Sequence, residues 1–122
     1  MTIHQFLEEY KAGQRYFSDL DVENETGFSN RSLRDVIFEN CFLGTDFSNS
    51  DLTNAKLISC NAKMIDLRGA NLTNAIMNKC SVERALFHGA VVENFKFIEN
   101  FCYSFTIGQN EFETLLQEQI DH

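Results

Sequence analysis

The chain has 122 residues, a length that suits one domain with a continuous core. Its 18 acidic and 10 basic residues give a formal charge of -8, which argues against direct binding to nucleic acid or an anionic membrane and for a basic partner. No apolar run approaches a membrane span, and the opening Met1-Thr2-Ile3-His4-Gln5 lacks signal-peptide character, so the expected residence is the cytoplasm.

Residues 2–13 predict an N-terminal helix. Thr2 is placed to cap it, with Gln5 completing a capping box, and Ile3, Phe6, Leu7 and Tyr10 fall on one face. Gly13 is the expected stop. So short a one-sided helix does not persist alone in water, and it needs a surface to dock on.

From Phe17 the sequence beats every five residues. Phe17 and Val22 open the series, one extra residue in Asn24-Glu25-Thr26-Gly27 delays the next beat to Phe28, and Leu33, Phe38 and Leu43 follow on time. A deletion at Gly44 moves the next beat to Phe47, after which the pattern runs to Phe97 and, more weakly, to Cys102. In each unit a small residue comes first, a polar one second and a large apolar one third. Residues 17–104 are therefore expected to form one repeat stack within a single domain. Beyond it, residues 110–121 predict a second helix, with Asn110 as cap, Glu113 at the third position, and Phe112, Leu115, Leu116 and Gln119 or Ile120 on one side.

Neither a strand, with period two, nor a helix, with period 3.6, gives five. Five fits one side of a squared coil in which the large residue and the one two before it point inward. The assignment of beats to sides can be checked internally. The first side stacks Phe17, Phe38, Leu57, Met77 and Phe97, and the second stacks Val22, Leu43, Ala62, Val82 and Cys102. The third stacks Phe28, Phe47, Leu67 and Phe87, and the fourth Leu33, Leu52, Leu72 and Val92. Like falls on like, and Cys41, Cys60 and Cys80 all land two before the large residue of the second side.

Ala70-Asn71-Leu72-Thr73-Asn74, Ser50-Asp51-Leu52-Thr53-Asn54 and Ala55-Lys56-Leu57 resemble the A(D/N)LXX consensus of the pentapeptide-repeat family. The resemblance implies an all-β solenoid, a right-handed quadrilateral β-helix of about four coils, here with a short α-helix at each end. Ala62 and Cys102 are small where that pattern has a large residue, and Ile65 and Phe95 are large where it has a small one.

Little in the chain suggests catalysis. The cysteine spacings are not those of zinc motifs, stacked neighbours about 4.8 Å apart lie beyond usual disulfide geometry, and small buried hydrophobes are the expected role. His4, His88 and His122 are scattered, no nucleophile motif or phosphate-cradling glycine loop is present, and no cofactor or metal is expected. Asn54, Asn74 and Asn94, with Asp35 below them, should form a ladder at one corner, as hydrogen-bonded turns require. Four isoleucines, Ile37, Ile58, Ile76 and Ile98, occupy outward positions of the first side, with Lys56 and Lys96 between them. Such a face is covered either by a terminal segment or by a partner.

The expected function is thus a non-enzymatic scaffold or protein-interaction module, with the isoleucine face meeting a protein partner, a second copy included. The resemblance also implies an alternative, because some pentapeptide-repeat proteins mimic B-form DNA, bind DNA gyrase and protect against quinolones. In that case Asp35, Asp46, Asp51, Asp66 and Glu93 would stand for the phosphates. About four coils span only roughly 20 Å, or about six base steps.

Overall fold

The computed structural model describes residues 1–121, with side chains as far as Gln119; Ile120 as a helix-lining residue and His122 therefore lie outside the described side chains. Five three-residue strands, β1 (Tyr16–Ser18), β2 (Ile37–Glu39), β3 (Lys56–Ile58), β4 (Ile76–Asn78) and β5 (Lys96–Ile98), pair in parallel in sequence order. They form the first side of a four-sided parallel β-solenoid of about four turns. Its register is the expected one: Phe17 aligns with Phe38, Phe38 with Leu57, Leu57 with Met77 and Met77 with Phe97. The other sides are held by isolated parallel bridges, Asp21–Phe42–Asn61–Ser81–Phe101 on the second, Asp46–Asp66–Leu86 on the third and Ser32–Asp51–Asn71–Val91 on the fourth. The slip at Gly44 is absorbed without breaking these ladders, while the bridges of the third side begin only at Asp46, one coil after the slip at Gly27.

The five-residue period has a local cause. Two residues after the large apolar residue, the backbone enters the left-handed region, as at Asn54 (φ 64°), Asn74 (φ 60°) and Asn94 (φ 57°). Asn, Asp and Gly tolerate that conformation best, which is why they recur there. The next N–H then closes the corner onto the large residue's carbonyl, as Ala55 does on Leu52 and Ala75 on Leu72, each at 3.0 Å. Asparagines stacked at one corner bond along the axis: Asn54 Nδ2 donates to Asp35 Oδ1 at 3.1 Å, and Asn94 Nδ2 to Asn74 Oδ1 at 3.0 Å. At Gly44, the site of the deletion, an added Cβ would come within 2.4 Å of the Lys63 carbonyl oxygen, so only glycine lets the adjacent coil approach.

Inward residues of all four sides make one buried column. The size exchanges at Ala62 and Ile65 are accommodated, both being buried. Each end of the column is closed by a helix. Helix α1 (Ile3–Lys11) carries the expected capping box, Gln5 N–H donating to Thr2 Oγ1 at 3.1 Å and Thr2 N–H to Gln5 Oε1 at 2.9 Å. It drives Phe6, fully buried, between Phe17, Phe28 and Phe38, with ring centroids 4.4, 5.3 and 5.7 Å away.

At the other end the chain departs from the expected plan. Strand β6 (Asn100–Cys102) continues the second side, then the chain reverses at Tyr103 and Ser104 into β7 (Phe105–Ile107), which pairs with β6 antiparallel. This hairpin carries no Asn-Gly or Asp-Gly signal and was not foreseen. Helix α2 (Gln109–Asp121) begins before Asn110, so Asn110 is not its cap. Gly108 precedes the helix instead: its N–H donates to Glu111 Oε2 at 3.0 Å, and its carbonyl accepts from Phe112 N–H at 3.0 Å. The large Phe95 is explained here, since it joins Phe87 and Phe97 in a nest around Phe112 of α2, with ring centroids 4.9 to 5.2 Å from Phe112.

Candidate functional site

The surface is set by what each column needs internally. Polar residues in the second position of a unit accept from the backbone N–H two residues on, making an Asx turn. Asp46 does so from Ser48 at 2.8 Å, Asp51 from Thr53 at 3.1 Å and Asp66 from Arg68 at 3.1 Å. Asn61 and Asn71 do the same for Lys63 and Thr73. Three of the five carboxylates proposed as phosphate surrogates, Asp46, Asp51 and Asp66, therefore hold corners first. They also fall on two sides: Asp46 and Asp66 pair on the third, while Asp51 lies on the fourth with Asp35 and Glu93 at its corner.

Two of the five are neutralised in place. Arg68 bonds Asp66 at 2.8 Å and Arg34 bonds Asp51 at 3.3 Å. The Arg68 guanidinium holds the Asp66 carboxyl below its usual range, against a smaller opposing effect of burial. Burial pushes Asp51 up, but the Thr53 hydroxyl and N–H together with Arg34 outweigh it and hold the group low. The result is a mixed-charge surface, not a bare row of anions.

The cysteines form a column with a specific task. At the corner that ends the first side, the carbonyl of the large residue is met by a thiol of the next coil. Cys60 Sγ donates to Phe38 O at 3.3 Å and Cys80 Sγ to Leu57 O at 3.2 Å, with Cys41 Sγ 3.6 Å from Phe17 O. Asn100, fully buried, takes the next place, its Nδ2 donating to Met77 O at 3.0 Å and its Oδ1 accepting from Cys80 N–H at 2.9 Å. Sequence reasoning missed Asn100, although its place two before Cys102 was the available signal. The thiols are free and buried. Hydrogen bonding with Cys60, followed by burial, raises Cys41; at Cys60 the neighbouring thiols oppose each other, Cys41 lowering and Cys80 raising, and burial adds to give about 12. At Cys80 hydrogen bonding with Cys60 lowers the thiol, against an opposing effect of burial.

The four isoleucines share the outer face of the first side but not one column. Ile37 and Ile76 flank Lys56 in one, and Ile58 and Ile98 flank Asn78 in the other. Lysine stems thus run between the apolar residues. Ile98 is 40% exposed, the other three are half-buried, and Lys56 and Lys96 are exposed. More apolar surface lies at the C-terminal end, where Tyr103 and Phe105 are 71% and 72% exposed. His4 and His88 are exposed on separate parts of the chain. Among the described residues no group of histidines, cysteines and carboxylates is placed to hold a metal ion.

No helix in the described residues is long and apolar enough to cross a membrane. Residues 50–89 and 65–97 match the family model for pentapeptide repeats, in eight copies. No curated protein matches the sequence. Among solved structures, the chain is similar to AT2G44920, a pentapeptide repeat protein from the Arabidopsis thaliana thylakoid lumen, with a TM-score of 0.59 and 18% identity over 85% of this chain and 72% of that one. It is also similar to QnrB1, a plasmid-mediated fluoroquinolone resistance protein, with a TM-score of 0.54 and 24% identity over 62% of this chain. The match spans 47% of QnrB1, about half its length. At such identities these likenesses concern the fold alone. Residues 50–97 of this chain thus carry pentapeptide repeats, and the structure coils them into a four-sided solenoid.

Proposed function

We propose that the chain is a non-enzymatic protein-interaction module of the cytoplasm, whose contact surface is the outer face of β2 to β5. The observation that carries this reading is the pattern of exposed lysines and partly exposed isoleucines on a rigid five-stranded side, with both helices committed to the ends. A partner docking there would bury Ile37, Ile58, Ile76 and Ile98 and pair Lys56 and Lys96 with carboxylates; a second copy is one such partner. The test is the solution mass of wild type beside Ile58→Asp/Ile76→Asp, with circular dichroism on both. A dimeric wild type and a folded monomeric variant support self-association through this face. Two folded monomers remove the homodimer, and an unfolded variant makes the face internal packing and removes the reading.

A second reading, an acidic DNA mimic acting on a type II topoisomerase such as DNA gyrase, is supported by the charge of -8 and the likeness to QnrB1. It is the weaker one, because Arg34 and Arg68 neutralise two of the five carboxylates and α2 obstructs end-to-end extension of the coil. Inhibition of gyrase supercoiling, lost on Asp46→Lys/Asp51→Lys with the fold intact, would raise it above the first.

A further inference from the structure

A groove of about 370 Å³ lies between the hairpin and α2. Its apolar lining comes from Tyr103, Phe105, Ile107 and Leu115, and its charge from Glu111 and Glu118; no cation lines it among the described residues. Tyr103 and Phe105 are 71% and 72% exposed, although Phe105 and Ile107, two apart on β7, share the face turned toward α2. On the helix, Glu111, Leu115 and Glu118 stand at i, i+4 and i+7 and so lie along one stripe. The two carboxylates are about 10 Å apart along the axis, with an apolar side chain between them.

We infer that this groove docks a basic amphipathic helix of another protein. A helix lying beside α2 repeats the same seven-residue spacing, which brings lysines or arginines at i and i+7 opposite Glu111 and Glu118. The apolar residues at i+3 and i+4 then cover Phe105, Ile107 and Leu115. Charge complementarity selects such a partner over an acidic or neutral one, and the overall charge of -8 steers it in. The inference rests on the chain being a binding module, and is independent of the isoleucine face.

The probe is a fluorescein-labelled Leu/Lys peptide of about 18 residues, long enough to form a helix on binding. It is compared with a scrambled isomer and a Leu/Glu counterpart, on the full chain as wild type, Phe105→Asp, Tyr103→Ser, Glu118→Lys and Ile58→Asp/Ile76→Asp. The expected result is saturable binding to wild type, tenfold or more weaker for Phe105→Asp, and about 3-fold to 10-fold weaker for Glu118→Lys as a rim charge is reversed. The scrambled and acidic peptides bind at least about tenfold more weakly, because only the helical order presents both cations and the apolar stripe. The isoleucine variant binds like wild type, so failure of that face and failure of the groove are separable. Equal binding of the scrambled peptide, or no loss in Phe105→Asp, overturns the inference in favour of plain charge attraction. A wild-type dimer that Phe105→Asp dissolves overturns it in favour of a second copy of this chain. Should Phe105→Asp lose its fold, Tyr103→Ser and Glu118→Lys decide the matter by the same criteria.

Discussion

Cys60 is fully enclosed and its thiol points at the Phe38 carbonyl, 3.3 Å away, so the residue serves as a small weak donor as well as filler. Its neighbours above and below do the same, and Asn100 does it with an amide. Cys60→Val removes this donor and adds a branched methyl to a packed site; a loss of about 1–3 kcal/mol is expected. Cys60→Ser keeps a donor at the same site and should lose distinctly less. Urea denaturation of both variants checks the ordering, and equal losses would show that volume alone matters there. The same accounting makes the second-position Asp and Asn residues corner fasteners before they are surface charges.

The two helices solve the problem a coil has at its ends, where strand groups and core are left open. The aromatic side chains Phe6 and Phe112 fill the two openings. At the C-terminal end α2 also replaces the missing coil's hydrogen bonds through glutamines. Gln109 Oε1 accepts from Phe97 N–H at 3.0 Å, Gln119 Oε1 accepts from Phe87 N–H at 2.7 Å, and Gln119 Nε2 donates to Ala85 O at 3.0 Å. Phe112→Ala should lower stability by about 3–5 kcal/mol, as for other buried aromatic truncations. Hydrogen exchange read residue by residue should place the added opening in β5, β7 and α2 while β2 and β3 stay protected, because a stack transmits stability between neighbours. Uniform loss of protection would instead mean that the coil unfolds as one unit.

For the whole molecule, the paired carboxylates predict the response to acid. Asp51 and Asp66 sit below their ordinary value of 3.8 in the folded chain. Their contribution is therefore fully present above that value and is lost as the pH falls through the lower folded values. Denaturation midpoints should fall below about pH 4, and Asp66→Asn should flatten that limb. Asn keeps the turn, since Asn61 and Asn71 already accept from the backbone two residues on at 3.1 and 3.0 Å, but it cannot pair with Arg68 or titrate. An unchanged acid limb in this variant would move the effect to other carboxylates.

The sequence by itself determined the coil, its register and its corners. Each of those follows from five local residues repeated: a large inward side chain, a residue that tolerates positive φ, and an Asx fastener. Even the slips at Gly27 and Gly44 were legible, because every later beat kept its column. Tertiary structure alone decided the ends and the surfaces. The reversal at Tyr103, the start of α2 at Gln109 and the glutamine bonds to Phe87, Ala85 and Phe97, which join residues 12 to 34 apart, occur once each, so no period announces them. The thiol-to-carbonyl contacts were hidden for a similar reason, since the acceptor belongs to another coil. The isoleucines were visible as outward residues, yet only strand pairing shows them split between two columns with lysine and asparagine between. What repeats is encoded by short-range chemistry; what happens once depends on which surfaces the finished coil leaves open.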